Sequence, residues 1–319
     1  MHRWILSHAL IPLAIHHAYV SYMGKLMGPI STFFVYTTST LLTMFDGAHL
    51  FRNLAYSYGV LDGDKCQRDD VPGCGVRTLF DSFFLSTISR IMLIFLSYPI
   101  DETPASMNLV WLPIEISLYG IIYDFWFYWY HRLLHEVDGL WQYHRTHHLT
   151  KHPNVLLTTY FSLEEGVFST LACPFLSWSS LKFMGLPMGL SEWWICNSYI
   201  TFTEFAGHSG VRVYGSSPSP LTWLLRHFDA EIIIEDHDLH HRNGWRKSGN
   251  YGKHTRLWDR IFGTCYARIE CLERNIDYSN QVNLPLISIP FRSHFVSTKL
   301  VKNDWPKRGR AQVDPDGTE

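Results

Sequence analysis

Apolar residues gather in runs of helical length, separated by short polar stretches. Residues 79–100 are apolar apart from Asp81 and Arg90, and residues 109–130 carry only Glu115 and Asp124 before ending in a cluster of Trp and Tyr. Residues 166–184 stay apolar until Lys182, and residues 186–206 carry Glu192 and Glu204. Each run approaches the roughly 20 residues a helix needs to cross a bilayer, and aromatic clustering at the ends favours a membrane setting. A further run, 30–45, is shorter and reads as a short or partly inserted helix. No cleavable signal is visible: residues 5–24 are broken by His8, His16 and His17, and no small-residue cleavage site follows.

Counting spans gives a topology. The run 109–130 stops at His131 and the run 186–206 stops near His208, while 166–184 and 186–206 form a hairpin that returns the chain to the side it left. The histidine-rich stretches therefore share one face. That face also carries Arg132, Arg145, Lys151, Arg242, Arg246, Lys247, Lys253, Arg256 and Arg260, so the positive-inside rule makes it cytosolic. The loop 62–77 falls on the same side, which makes Cys66 and Cys74 reduced thiols, and the connection 101–108 faces the lumen. The expected fold is all-α: a polytopic membrane helical bundle with a cytosolic helical cap carrying the histidines. Along the chain this divides into a membrane-associated N-terminal leader (1–60), a polar loop (61–78), a membrane-bound core (79–265) and a polar C-terminal tail (266–319). No electron-carrier domain is expected at either end.

Composition narrows the classes. With 46% hydrophobic and 18% charged residues the chain is too apolar to be disordered. A formal net charge of −2 excludes a nucleic-acid binder driven by global basic charge, and six Cys in 319 residues make no disulfide scaffold. The mean hydropathy of −0.05 is low for a polytopic protein because a polar, histidine-rich half dilutes the apolar runs.

Histidine carries the chemistry. Of 18 histidines, eight fall in three clusters: His131 and His135; His144, His147 and His148; His237, His240 and His241. Spacings of i, i+3 and i+4 put such pairs on one face of a helix, where two neutral imidazoles chelate a metal. Eight ligands exceed the needs of one ion and suit two. Imidazole suits iron, zinc, copper and nickel, and no Cys lies within a cluster, which argues against iron–sulfur and Cys-type zinc sites. All-imidazole ligation leaves a divalent pair unneutralised, so an oxygen-activating diiron site is the first choice and dizinc the second. The isolated His2, His8, His16, His17, His49, His152, His227 and His294 read as ordinary core or surface side chains, and His254 lies outside every spaced cluster.

The order H-x3-H, H-x2-H-H, H-x2-H-H, together with the blocks DFWFYWYHRLLH (124–135), HRTHHLTKHP (144–153) and HDLHHRNGWRKSGNYGKHTRLWDRIFGT (237–264), resembles the fatty acid hydroxylase / sterol desaturase superfamily over about residues 110–265. The resemblance implies an integral membrane oxygenase of the endoplasmic reticulum that uses two irons, O2 and electrons relayed from NAD(P)H through a separate reductase and cytochrome b5. The implied reaction is hydroxylation or desaturation of a lipid-like substrate. It also implies a ninth ligand, His208, and sets Glu204 where some members have a further His; here the carboxylate ligates, or orients a ligand or water.

A ligating His usually donates its other N–H to a carboxylate or carbonyl. Candidates for that role are Asp124, two turns before His131 within an apolar run, and Asp238 and Asp259; Asp259 reads first as a partner of Arg256 or Arg260. Asn250 lies in a turn that, by the resemblance, packs beside the metals. Arg242, Arg246, Lys247 and Lys253 form a basic patch suited either to an acidic electron donor or to lipid headgroups.

The expected function is hydroxylation of an unactivated C–H bond, a fatty acyl chain being the first choice of substrate. Alternatives are a sterol C-4 methyl oxidase or desaturase, a tailoring oxidase of a lipophilic secondary metabolite, a dizinc membrane hydrolase, and a non-enzymatic metal-binding or transport protein. A transporter places its ligands near the membrane midplane, whereas these histidines lie beyond the span ends.

Overall fold

The computed structural model describes residues 1–97, 103–244 and 248–288. The last residues of the run 79–100, Arg246, Lys247, His294, the first residues of the connection 101–108, most of the tail and the side chain of Cys74 lie outside the described residues.

The described chain is all-helical, with isolated bridges in place of sheet. Its helices are α1 (His2–Met23), α2 (Pro29–Tyr58), α3 (Val76–Ser97), α4 (Leu112–Glu136), α5 (Trp141–His144), α6 (Leu163–Val167), α7 (Cys173–Phe183), α8 (Leu190–Ser209), α9 (Thr222–His227), α10 (Ile234–Arg242) and α11 (Leu257–Phe262). Proline at the first turn starts α2, α4 and α7, where its missing N–H costs nothing.

α8 is the hub. It packs against α1, α2, α4 and α10, and α4 packs along α7. Trp193, Ile195, Cys196, Ile200 and Phe202 of α8 are fully buried or nearly so. Residues 2–58, within the stretch 1–60 read above as a membrane-associated leader, form two long helices whose Trp4, Ile5, Leu13, Tyr36, Leu50 and Phe51 join the same core. The run 30–45 is the first half of a 30-residue helix.

By length and composition, one helix among the described residues is apolar enough to cross a membrane: 76–95 of α3, with mean hydropathy 1.5 and 28% of its residues buried. α4 and α8 are as long, but they spend their apolar faces on each other and enclose polar side chains that hydrogen-bond internally. Glu115 accepts from the Met188 amide, Glu192 from the Asn108 amide, and Asn197 donates to the Trp193 carbonyl. The run 166–184 is not one regular helix. A π-turn at Phe168–Ala172 separates α6 from α7, and such turns mark functional regions. A belt of exposed apolar side chains runs over α2, α3 and α7, including Ile30, Phe34, Phe45, Phe80 and Phe183.

α8 ends at Gly210 in the left-handed conformation, φ 58°, which glycine adopts without penalty. A Cβ there would also strike the Arg68 guanidinium. The chain then reverses toward α10, so the end of α8 and the whole of α10 meet beside α4.

Candidate metal centre

The nine histidines converge in two groups. His131, His135, His144, His148 and His240 form one, and His147, His208, His237 and His241 the other; in each, the ligand atoms lie within 4.8 Å of one another and every residue is buried. α4 supplies His131 and His135 one turn apart. α5 and the following 3-10 turn split the middle cluster, sending His144 and His148 one way and His147 the other. α10 divides its three in the same manner. His208 comes from the last turn of α8. Neither the pooling nor the five-and-four division follows from spacing alone.

Hydrogen bonds fix the rings. Nδ1 of His131 lies 2.8 Å from the Tyr251 carbonyl, His147 3.1 Å from Tyr160, His208 2.8 Å from Glu204, His240 2.8 Å from Gly249 and His241 3.0 Å from Thr150. Nδ1 of His144 lies 2.8 Å from Glu165 Oε1. A carbonyl or carboxylate accepts only, so each of these rings carries its proton on Nδ1 and presents a lone pair at Nε2. Yet Nε2 of His131 and His144 are 2.9 Å apart, and those of His147 and His208 are 3.1 Å apart. Lone pair faces lone pair, and a cation between them removes the repulsion. Imidazole nitrogens about 2.1 Å from one divalent ion lie roughly 3 Å from each other, so the residues fit a bound metal in each group.

Burial, reinforced by mutual repulsion, lowers the pKa of His131, His144, His148, His208, His237, His240 and His241 well below 6.5, and His147 is pushed down to about 3 by burial and then by the nearby Lys253 ammonium. They are neutral at physiological pH, which is the ligating state. Burial likewise pushes the Glu165 carboxyl up, and because His144 is neutral its Nδ1–H donates to Glu165 Oε1 as a hydrogen bond rather than an ion pair.

The carboxylates singled out from the sequence lie elsewhere than expected. Asp124 touches no ligating ring. It accepts from the backbone amides of Lys253 (2.6 Å), His254 (3.0 Å) and Thr255 (3.3 Å) and from the Thr255 hydroxyl, and so pins that loop to α4. Helical spacing placed it on the face of His131, but only the tertiary fold brought a loop across to occupy it. Asp259 does not pair with Arg256 or Arg260. It accepts from the amides of Tyr251 and Gly252 and from Thr264, holding the strip whose Tyr251 carbonyl orients His131. Asn250, in the left-handed region at φ 53°, bridges the Asp236 carbonyl and the Tyr266 amide, next to the Gly249 carbonyl that orients His240. Asp238 binds Arg68 and Arg242 and no imidazole. The Glu204 carboxylate is on Lys253 Nζ at 2.6 Å; its backbone carbonyl, not its side chain, orients His208. His254 is buried and outside both groups, with Asp124 holding its amide.

The basic patch needs correction too. Arg242 is committed to Asp238 and Glu270, and half-buried Lys253 is paired with Glu204, so neither presents a free charge to a partner. Sequence reading missed Glu165 and Arg68. Ser162 caps α6 by accepting from the Glu165 amide, and S-x-x-E is a visible helix-start signal; nothing in it says that the carboxylate meets His144. A third group, Asp62, Cys66 and His152, is half-buried, but Lys65 and Arg242 lie 3.5 and 3.6 Å from Asp62.

A cavity reaches the histidines from between α2, α3, α4 and α8. His131, His144 and His147 form its floor, and Phe127, Tyr123 and Phe161 line its apolar wall.

Fold and site together define a helical protein organised round a buried, neutral, polyhistidine centre with an adjoining cavity. The fatty acid hydroxylase family profile matches residues 116–264. Over 304 residues the chain is 39% identical to "fatty acid hydroxylase vlmA" of Lecanicillium sp, covering 91% of this chain and 83% of that one. It is 30% identical over 216 residues to methylsterol monooxygenase 2-2 of Arabidopsis thaliana (64% and 73%) and 27% identical over 199 residues to human alkylglycerol monooxygenase (61% and 40%). No solved structure matches. The chain belongs to the fatty acid hydroxylase family and is an oxidoreductase of the hydroxylase type.

Proposed function

We propose that this protein is a membrane-bound diiron hydroxylase acting on a fatty acyl chain, with hydroxylation favoured over desaturation. The observation that carries it is the pooling of nine buried histidines into two groups, three of them, His131, His144 and His147, forming the floor of one cavity. His131, His135, His144, His148 and His240 would hold one iron, and His147, His208, His237 and His241 the other. When bound, the irons supply O2 activation and C–H oxidation, with electrons from NAD(P)H through a separate reductase and cytochrome b5.

The chain's own residues do the rest. Backbone carbonyls of Tyr251, Tyr160, Glu204, Gly249 and Thr150 aim the rings and keep each proton on Nδ1. Glu165 does the same for His144. Phe127 and Tyr123 exclude water from the floor, and the Lys253–Glu204 pair keeps a charge in the cavity wall neutralised. Membrane immersion is supported by the apolar 76–95 helix and the exposed apolar belt beside it. The polytopic arrangement, an endoplasmic reticulum location and a cytosolic face for the histidines are part of the same reading.

The test is to purify the protein in detergent, count iron and zinc per chain, and follow reductant-dependent O2 uptake with a mixed lipid extract, beside His147→Ala. Near two irons per chain with uptake lost in the variant is the expected result. Two zincs and no uptake even after iron reconstitution favour a hydrolase or a metal-handling protein. No bound metal after reconstitution overturns the reading.

A further inference from the structure

Arg90 sits in α3, the helix apolar enough to cross a bilayer. A charge in such a segment is costly and is kept where it faces a cavity or a partner. Arg90 lines the cavity whose floor is His131, His144 and His147. Its Nη1 donates to Thr201 Oγ1 at 2.9 Å, and its Nε is buried with no hydrogen-bond partner. No carboxylate among the described residues is within ion-pair distance of it. The other cation in the cavity wall, Lys253, is neutralised by Glu204. The cavity therefore holds one uncompensated guanidinium. With Nη1 on Thr201, the edge formed by Nε and Nη2 remains, and that planar fork matches the two oxygens of a carboxylate.

We propose that Arg90 anchors the carboxylate of a free fatty acid, so that the acid head lies against α3 and the chain runs along the cavity to the histidines. The proposal rests on the hydroxylase reading and names its substrate class. It also constrains the position of attack. Thr201, which Arg90 grips, precedes His208 by seven residues on α8, a rise of about 10 Å, and His208 Nε2 lies 3.1 Å from Nε2 of His147 on the floor. The carbon that reaches the floor is thus several bonds from the carboxylate, not beside it. An ester would lose the second oxygen acceptor and the negative charge.

The experiment uses the full-length, iron-loaded protein in detergent, kept anaerobic so that nothing turns over, at about pH 8, where carboxyls are ionised. Palmitic acid and its methyl ester are titrated against tryptophan fluorescence. The acid is expected to bind more tightly, and Arg90→Gln to weaken it about tenfold or more while leaving the ester within about twofold. Arg90→Lys, which keeps the charge without the fork, should fall between. With oxygen and reductant admitted, the wild type should hydroxylate an internal carbon. Equal affinity for acid and ester, no loss in Arg90→Gln, no binding of the acid, or oxidation at the carbon next to the carboxylate would each overturn the proposal. Should Arg90→Gln lose its iron, Arg90→Lys and Thr201→Val carry the same comparison. If every chain lacks iron and oxygen uptake, it is the hydroxylase reading that fails, and the anaerobic titration still decides the role of Arg90.

Discussion

Two conditions favour metal ligation by an imidazole: neutrality, and a hydrogen bond that holds its other nitrogen. Burial supplies the first condition here and a backbone carbonyl the second for His131, His147, His208, His240 and His241. His144 is held by a side chain instead, so Glu165 can be removed without breaking the backbone. Glu165→Ala should cost 10- to 100-fold in iron affinity or turnover, roughly the effect of losing an outer-sphere partner, while Glu165→Gln, which still accepts a hydrogen bond, should recover much of it. Iron titration of the two variants checks this. The lowered histidine pKa values also fix a pH dependence. The unfolded chain takes up protons near pH 6.5, whereas the folded metal-free protein does so only far lower, at about 3 for His147. Stability is therefore fully present above pH 6.5 and is lost as pH falls from there toward 3, by up to about 1.4 kcal/mol per pH unit for each ring. Urea midpoints of metal-free protein on either side of pH 6.5 measure it; an unchanged midpoint would contradict the burial of these rings.

At the scale of elements, the site depends on loops that the helices capture. The strip 248–255 has little helical order, yet it orients His131 through Tyr251 and His240 through Gly249. It is held by two carboxylates on different helices, Asp124 on α4 and Asp259 on α11. Asp124→Ala leaves several buried amides without an acceptor, at about 1–3 kcal/mol each. A drop of more than about 3 kcal/mol in unfolding free energy is expected, with iron binding weakened because the strip no longer aims its carbonyls. Asp124→Asn should be milder. A variant with wild-type stability would show that the loop is held by other contacts. Spacing in the sequence revealed Asp124 as an oddity in an apolar run. It did not reveal the partner, because amides offered by a loop 129 residues away leave no trace in the side-chain pattern.

Across the whole molecule, α1 and α2 are part of the core that positions α8, and hence His208. Trp194 Nε1 donates to the Ala9 carbonyl and Trp4 Nε1 to Asp46. Deleting residues 1–24 should therefore expose Trp194 and Phe202, lower the thermal midpoint sharply and release iron, as followed by differential scanning and metal analysis. A dispensable leader would leave both unchanged. The histidine clusters, the all-helical class and the family were legible in the sequence, because metal chelation needs fixed residue types at i, i+3 and i+4, and that periodicity is written into the chain. The division of nine histidines into five and four, the role of Glu165, the internal commitment of Arg242 and Lys253, and the uncompensated charge of Arg90 were decided by the tertiary structure alone. Each depends on which groups from distant segments arrive opposite one another, and helical periodicity fixes a side chain's face but not what packs against it.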